Sequence, residues 1–145
     1  MTEAFDPRAF AEALVREAGD AVIYADADGI IRFWNKGAER MFGFAAAEAV
    51  GRTLDLIVPD GLRARHWEGF RRTIETGESR YGAGDVLAVP ALRKDGARIS
   101  VEFTIVPFRD PAGRIGGIGA ILRDVTRRFD EIKALRRQAG QGKTS

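Results

Sequence analysis

The sequence predicts an α+β domain, and three observations carry that assignment. Two short apolar runs, residues 21–25 and 30–34, flank Asp26-Ala27-Asp28-Gly29, whose glycine can take the positive φ of a tight hairpin. Three further runs, Val86 to Arg93, Arg98 to Phe108 and Arg114 to Arg123, are separated by the turn signals Lys94-Asp95-Gly96 and Asp110-Pro111-Ala112-Gly113. Between the two sets, and at both ends, apolar residues recur every three or four positions, as on helices.

The first helix is predicted from Pro7 to Ala18. Asp6 is placed to cap it, Pro7 occupies the first helical position, where a missing N–H costs nothing, and Phe5 and Phe10 stand at the two positions of a hydrophobic staple. Phe10, Ala11, Leu14, Val15 and Ala18 share one face. That apolar face needs a partner, and Phe10, Leu14 and Val15 are expected to pair with a second copy of the chain. After the hairpin, Asn35 is an N-cap and Gly43 a helix stop, and a second short helix is expected to reach Val50, closed by Gly51.

The longest internal helix should start near Asp60 and stop before Gly77. Leu62, His66, Trp67, Phe70, Thr73 and Ile74 fall in one arc, with Arg65, Glu68, Arg71, Arg72 and Glu75 opposite. His66 therefore faces inward. In the middle strand of the last three, Ile99, Val101, Phe103 and Ile105 alternate with Ser100, Glu102 and Thr104, so one face is buried. Pro90 marks an edge strand or a bulge. Gly116, Gly117 and Gly119 leave room for something to approach the last strand, or ease its twist. A final short helix carries Phe129, Ile132 and Leu135 and ends near Gly140, followed by a frayed tail.

Composition narrows the function. At 145 residues the chain is one domain's worth, enough to bury about 68–70% of its unfolded surface without staples. Absence of cysteine excludes disulfides, thiolate metal sites and cysteine nucleophiles. Nothing approaches the length of a membrane span and the start lacks signal-peptide features, so a soluble, cytoplasmic protein is expected. Net charge is +2. From Arg123 onward seven Lys or Arg face three acids, which solvated helix faces explain without nucleic acid. One histidine, no thiol and no phosphate-cradling loop leave no catalytic constellation, so no enzyme is expected, a small enzyme being the outlying alternative.

The hairpin ending in Trp34-Asn35, the segment Arg40-Met41-Phe42-Gly43-Phe44 and the late Asp124-Val125-Thr126 together resemble a PAS domain, of the bacterial S-box type, over roughly Gly19 to Thr126. The resemblance implies a five-stranded antiparallel sheet with helices on one face. It divides the chain into an N-terminal amphipathic helix, 1–18, a PAS domain, 19–126, and a C-terminal helix and tail, 127–145. It also implies a sensor or protein-interaction role in bacterial-type signal transduction, as a homodimer. Since no kinase, cyclase or DNA-binding segment is seen, output is expected through a separate signalling protein such as a kinase, or through a part outside this chain. Asp124 and Thr126 match the D-x-T signature joining PAS cores to an effector helix, and either can also simply cap that helix.

Pocket candidates are His66, Trp67, Phe70, Tyr81, Asn35 and Arg123, with Trp34 and Phe103 beside them; most aromatics would serve equally as core. Which ligand such a pocket holds is not legible. A haem-b-binding gas or redox sensor using His66 is the alternative, because neutral imidazole is the usual proximal ligand and some PAS domains hold haem. The ligating histidine of those members, however, falls at Arg72 or Tyr81 here, which leaves only His66 as a shifted ligand. Flavin is a lesser alternative, the cysteinyl photochemistry being excluded. No metal site apart from haem is expected from one histidine.

Overall fold

The computed structural model describes residues 4–78 and 87–142; Tyr81 and the expected strand start at Val86 lie outside them. Helix α1 spans Pro7–Glu17. Asp6 accepts from the N–H groups of Arg8 at 3.0 Å and Ala9 at 3.4 Å, and the Phe5 and Phe10 rings meet at 5.4 Å to complete the staple. Even so, α1 buries none of its residues.

Strands β1 (Ala21–Asp26) and β2 (Ile31–Trp34) form the expected hairpin. Asp26 holds its turn: Oδ1 accepts from the N–H groups of Asp28 and Ile30, and Oδ2 from Arg32 Nε at 2.8 Å. Helix α2 (Lys36–Phe42) is capped by Asn35 and ended by Gly43. Helix α3 (Ala46–Ala49) stops one residue before the expected Val50, which has turned to extended backbone. The next helix begins as a 3₁₀ turn over Asp60–Leu62 and becomes α4 only over Arg63–Thr76, because Gly61 makes the first turn a weak α former.

Strands β3 (Leu87–Leu92), β4 (Arg98–Arg109) and β5 (Ile115–Asp124) complete one antiparallel sheet in the order β2-β1-β5-β4-β3. Pro90 stands on an edge strand, as its missing N–H demands. Helix α5 covers Thr126–Gly142; it ends within two residues of the expected Gly140 but, at 17 residues, is not the short helix expected. Ala134, Leu135, Arg136, Arg137 and Gln138 are all good helix formers, and they carry it through the glycine.

The inner face of the sheet and the helices enclose two adjoining clusters. Under α2 and α3, Trp34, Met41, Phe42 and Ile57 pack on Ile31 and Val101; under α4, Phe70 packs on Ala25, Ile115 and Ile118, with Trp67, Ile74 and Ile105 at the margin. Complete burial of Phe42, Ile31 and Val101 contributes about 1.5–3 kcal/mol each. The β3–β4 turn also closes α2, since Arg93 Nη1 donates to the Met41 carbonyl at 2.9 Å and the Lys94 N–H to that of Phe42 at 2.8 Å. Orphan carbonyls at the helix end are thereby satisfied.

The outer face carries an apolar, open patch among the described residues, with Val106, Phe108 and Ile121 about half exposed. Here Gly117 and Gly119 of β5 find their reason, while nothing comes within 4 Å of a Cβ at Gly116. A Cβ at Gly117 would overlap the Tyr24 hydroxyl and lie 2.6 Å from the Ala25 carbonyl, and one at Gly119 would lie 2.9 Å from the Phe108 ring. What approaches the last strand is thus the chain's own pair of aromatics, Tyr24 and Phe108, which meet edge-on at 5.6 Å. Cross-strand aromatics over glycine restore the contact area that a missing side chain removes.

Candidate functional site

The site candidates separate into three places. The first lies under α4, where helical spacing puts His66, Trp67 and Phe70 together: the His66 ring is 4.9 Å from that of Trp67 and 6.1 Å from that of Phe70. Trp67 is locked from two sides. Its Nε1 donates to Asp55 Oδ1 at 2.7 Å, and its ring lies over Gly29, which has φ 80° and no side chain to obstruct it. His66 is half-buried, and its Nδ1 is buried without a hydrogen-bond partner. Burial pushes the imidazole below its ordinary pKa of 6.5, only partly opposed by the Asp55 carboxylate, so the ring is neutral at neutral pH.

A haem requires an imidazole nitrogen facing space wide enough for the macrocycle. The partnerless nitrogen of His66 is instead sealed from solvent, on a ring packed against Trp67 and Phe70, whose own side chains fill the gap between α4 and the sheet. The residues present do not fit haem b. Among the described residues no group of three or more His, Cys, Asp or Glu could hold a metal ion.

The second place is Asn35, which does more than cap. Its Oδ1 accepts from the N–H groups of Ala38 at 2.9 Å and Val22 at 2.8 Å. Its Nδ2 donates to the carbonyls of Val15 at 2.8 Å and Asp20 at 3.0 Å, with that of Ala18 at 3.5 Å. One buried side chain, 2% exposed, thus joins α1, the segment after it, β1 and α2. Gly37 lets that segment come close: a Cβ there would overlap the Asp20 carbonyl and lie 2.7 Å from that of Ala18. Lys36 and Glu17 add an exposed ion pair at 2.9 Å. Asn35 therefore anchors α1 and stands apart from His66.

The third place is the junction between β5 and α5. Asp124 Oδ1 accepts from the Thr126 N–H at 2.9 Å and from its hydroxyl at 2.6 Å. The Thr126 oxygen in turn accepts from the Ser100 N–H at 2.9 Å, and the Val125 N–H reaches the Ser100 carbonyl at 2.8 Å. Threonine here ties the helix start to β4 rather than capping α5 with its own oxygen. Arg123, just before, reaches Asp20 with Nε at 3.3 Å and Nη2 at 3.1 Å. It belongs to the outer face and not to a pocket with His66. An open groove of about 740 Å³ beside the junction is lined by Asp124, Thr126, Arg127, Asp130, Glu131 and Ala134.

Asn35 and Arg123 gain these positions through partners 15 and 103 residues away, which no local pattern reports. Asp55 and Gly37 were missed for the same reason.

The domain is thus a five-stranded antiparallel sheet covered on one face by helices, entered from α1 and left through Asp124-Val125-Thr126. The family model described as PAS fold matches residues 15–129, and the chain belongs to the PAS family. It is 34% identical over 139 residues to an uncharacterized protein of Azorhizobium caulinodans, covering 95% of this chain and 18% of that protein. It is 32% identical over 87 residues to "Sensor protein FixL" of Bradyrhizobium diazoefficiens, covering 59% of this chain and 17% of the other. With "Oxygen sensor protein DosP" of Escherichia coli the identity is 30% over 96 residues, covering 66% and 12%. The chain thus spans less than a fifth of the length of these curated relatives. The solved PAS domain of a Colwellia psychrerythraea protein matches with TM-score 0.73 at 24% identity, covering 84% of this chain and 99% of that one. PAS domains are sensor modules of signal-transduction proteins, and this is one of them. No helix among the described residues is long and apolar enough to cross a membrane.

Proposed function

We propose that this chain is a non-catalytic sensor and protein-interaction module of cytoplasmic signal transduction that acts as a homodimer through α1 and hands its signal to a separate signalling protein, such as a kinase. The observation that carries this reading is the state of α1. Its last turn is fastened to the domain by Asn35, yet Phe10, Leu14 and Val15 stand 53%, 56% and 38% exposed on one face. Burying such side chains contributes about 1.5–3 kcal/mol each, and an anchored helix with a bare apolar face is a liability for a monomer. A second copy relieves it. Sensor names among the relatives support the signalling half of the reading.

Light scattering tests it. The chain should be a dimer at micromolar concentration and a monomer with an intact fold after Phe10→Glu and Leu14→Glu. A variant that stays dimeric would move the interface to the sheet or α5, and a monomeric parent chain would remove the homodimer altogether.

A further inference from the structure

The outer face of the sheet carries an alternating row of charges that begins beside α1 and ends on α5. Asp20, in the connection after α1, is gripped twice: its backbone carbonyl by Asn35 Nδ2 at 3.0 Å and its carboxylate by Arg123 on β5 at 3.1 Å. Arg123 sits opposite Glu102 in the β4–β5 register and feels its charge. Glu102 lies 4.0 Å from Arg128 in the first turn of α5.

We infer that Asp20, Arg123, Glu102 and Arg128 form an ionic strap across the outer face that couples the seating of α1 to that of α5 without passing through the helix-covered interior. The strap rests on the reading that these flanking helices carry the signal. Its physical basis is shared geometry. While the pair holds, a shift of Asp20 with α1 displaces the Arg123 guanidinium, and Arg123 precedes the Asp124–Thr126 lock from which α5 starts. Each link is solvent-exposed and individually weak, but charges joined in a network hold one another in place at less cost in side-chain freedom than isolated pairs. Such coupling is reciprocal: a change imposed on α5 must return to α1 with equal strength.

Residue-resolved hydrogen exchange on the whole chain tests the strap, using Asp20→Asn, Arg123→Gln, both together, and Glu102→Gln as an independent cut at another link. Asp20→Asn should speed exchange in the first turns of α5, which it does not touch, by about two- to five-fold, the range open to exposed ion pairs. Adding Arg123→Gln should accelerate α5 little further, Glu102→Gln should reproduce the effect, and 1 M salt should bring the parent chain to the same level. Amides of β1 and β5 report that the fold is intact in each variant. Unchanged α5 exchange in Asp20→Asn, or effects of the two substitutions that simply add, would overturn the strap. Light scattering on the same samples separates it from the homodimer: coupling in a monomeric chain sinks the dimer and keeps the strap, while a dimer without coupling sinks the strap alone.

Discussion

Replacing Asn35 by aspartate should split its two jobs. The new side chain has the same shape and still accepts from the Val22 and Ala38 N–H groups at 2.8 and 2.9 Å. The two donor bonds, to the Val15 and Asp20 carbonyls at 2.8 and 3.0 Å, become contacts between an oxygen and two acceptors. Each buried group left unpaired costs about 1–3 kcal/mol, which predicts a loss of about 2–6 kcal/mol at neutral pH with the α2 cap retained. Asn35→Ala removes the cap as well and should cost about 0.5–2 kcal/mol more.

The pH dependence gives the sharper test. Burial among carbonyls raises the pKa of the introduced carboxyl in the folded state, so the folded chain keeps a proton that the unfolded chain releases. Its stabilising share is then present below the unfolded value and is lost as pH rises through the folded one. Protonated, the acid can again donate to one carbonyl. Urea unfolding should therefore show Asn35→Asp to be far less stable than the parent at pH 7, with part of the gap closed near pH 4, about the unperturbed carboxyl value. Hydrogen exchange should place the loosening in α1. A variant as stable as the parent at pH 7, or a deficit equal at both pH values, would refute the donor role of Asn35.

Three further outcomes follow from the same geometry. Because burial lowers the His66 pKa below 6.5, the unfolded chain takes up a proton first on acidification; stability should fall as the pH drops below 6.5 toward the depressed folded value, and His66→Leu should flatten that slope in pH-dependent unfolding. A curve unaltered by the substitution would show that His66 is solvated. Gly117→Ala drives a methyl into the Tyr24 hydroxyl and the Ala25 carbonyl, so it should lower stability by about 1–3 kcal/mol, with Tyr24→Phe restoring part; thermal melts that coincide would count against the close contact. Thr126→Ala removes the bonds to Ser100 and Asp124 and should cost about 0.5–1.5 kcal/mol for each, read as faster exchange at the start of α5, and an unchanged helix start would assign the lock elsewhere.

Most of the architecture was legible because it is written in local chemistry. Asp6-Pro7, Asn35 and Gly43 announce helix ends through their own backbone needs, and Asp26 to Gly29 or Lys94 to Gly96 announce turns. Alternation along Ile99 to Ile105 assigns the buried face. What the residues around the site do to one another was not legible. His66 could be placed on the inward arc of α4, but that Trp67 and Phe70 close over it depends on Gly29 and Asp55, brought there by the hairpin and the 3₁₀ segment over 54–56. Asn35 read as a cap, which it is, while its tie to Val15 needs α1 to turn back across α2. Arg123 read as a pocket residue, and only the register of β1 against β5 reveals that it faces Asp20.

Apart from the exposed Lys36–Glu17 ion pair, the grip on α1 consists of backbone. Asn35 binds the carbonyl oxygens of Val15, Ala18 and Asp20, and Gly37 admits the carbonyls of Ala18 and Asp20; none of these contacts reads a side chain. The buried part of the attachment is therefore blind to sequence. Any helix whose final turn ends at the same distance before Asn35 presents the same oxygens to the same amide, so the residues of α1 are free to diverge, or to be exchanged in a chimera, without loosening the joint. What the joint does measure is length. One residue inserted between Val15 and Asp20 would rotate the upstream helix by about 100° and withdraw its carbonyl from Asn35, turning the apolar stripe toward a different side of the domain. In that sense the connection acts as a coupling of standard gauge, indifferent to what is hitched to it and exacting about phase.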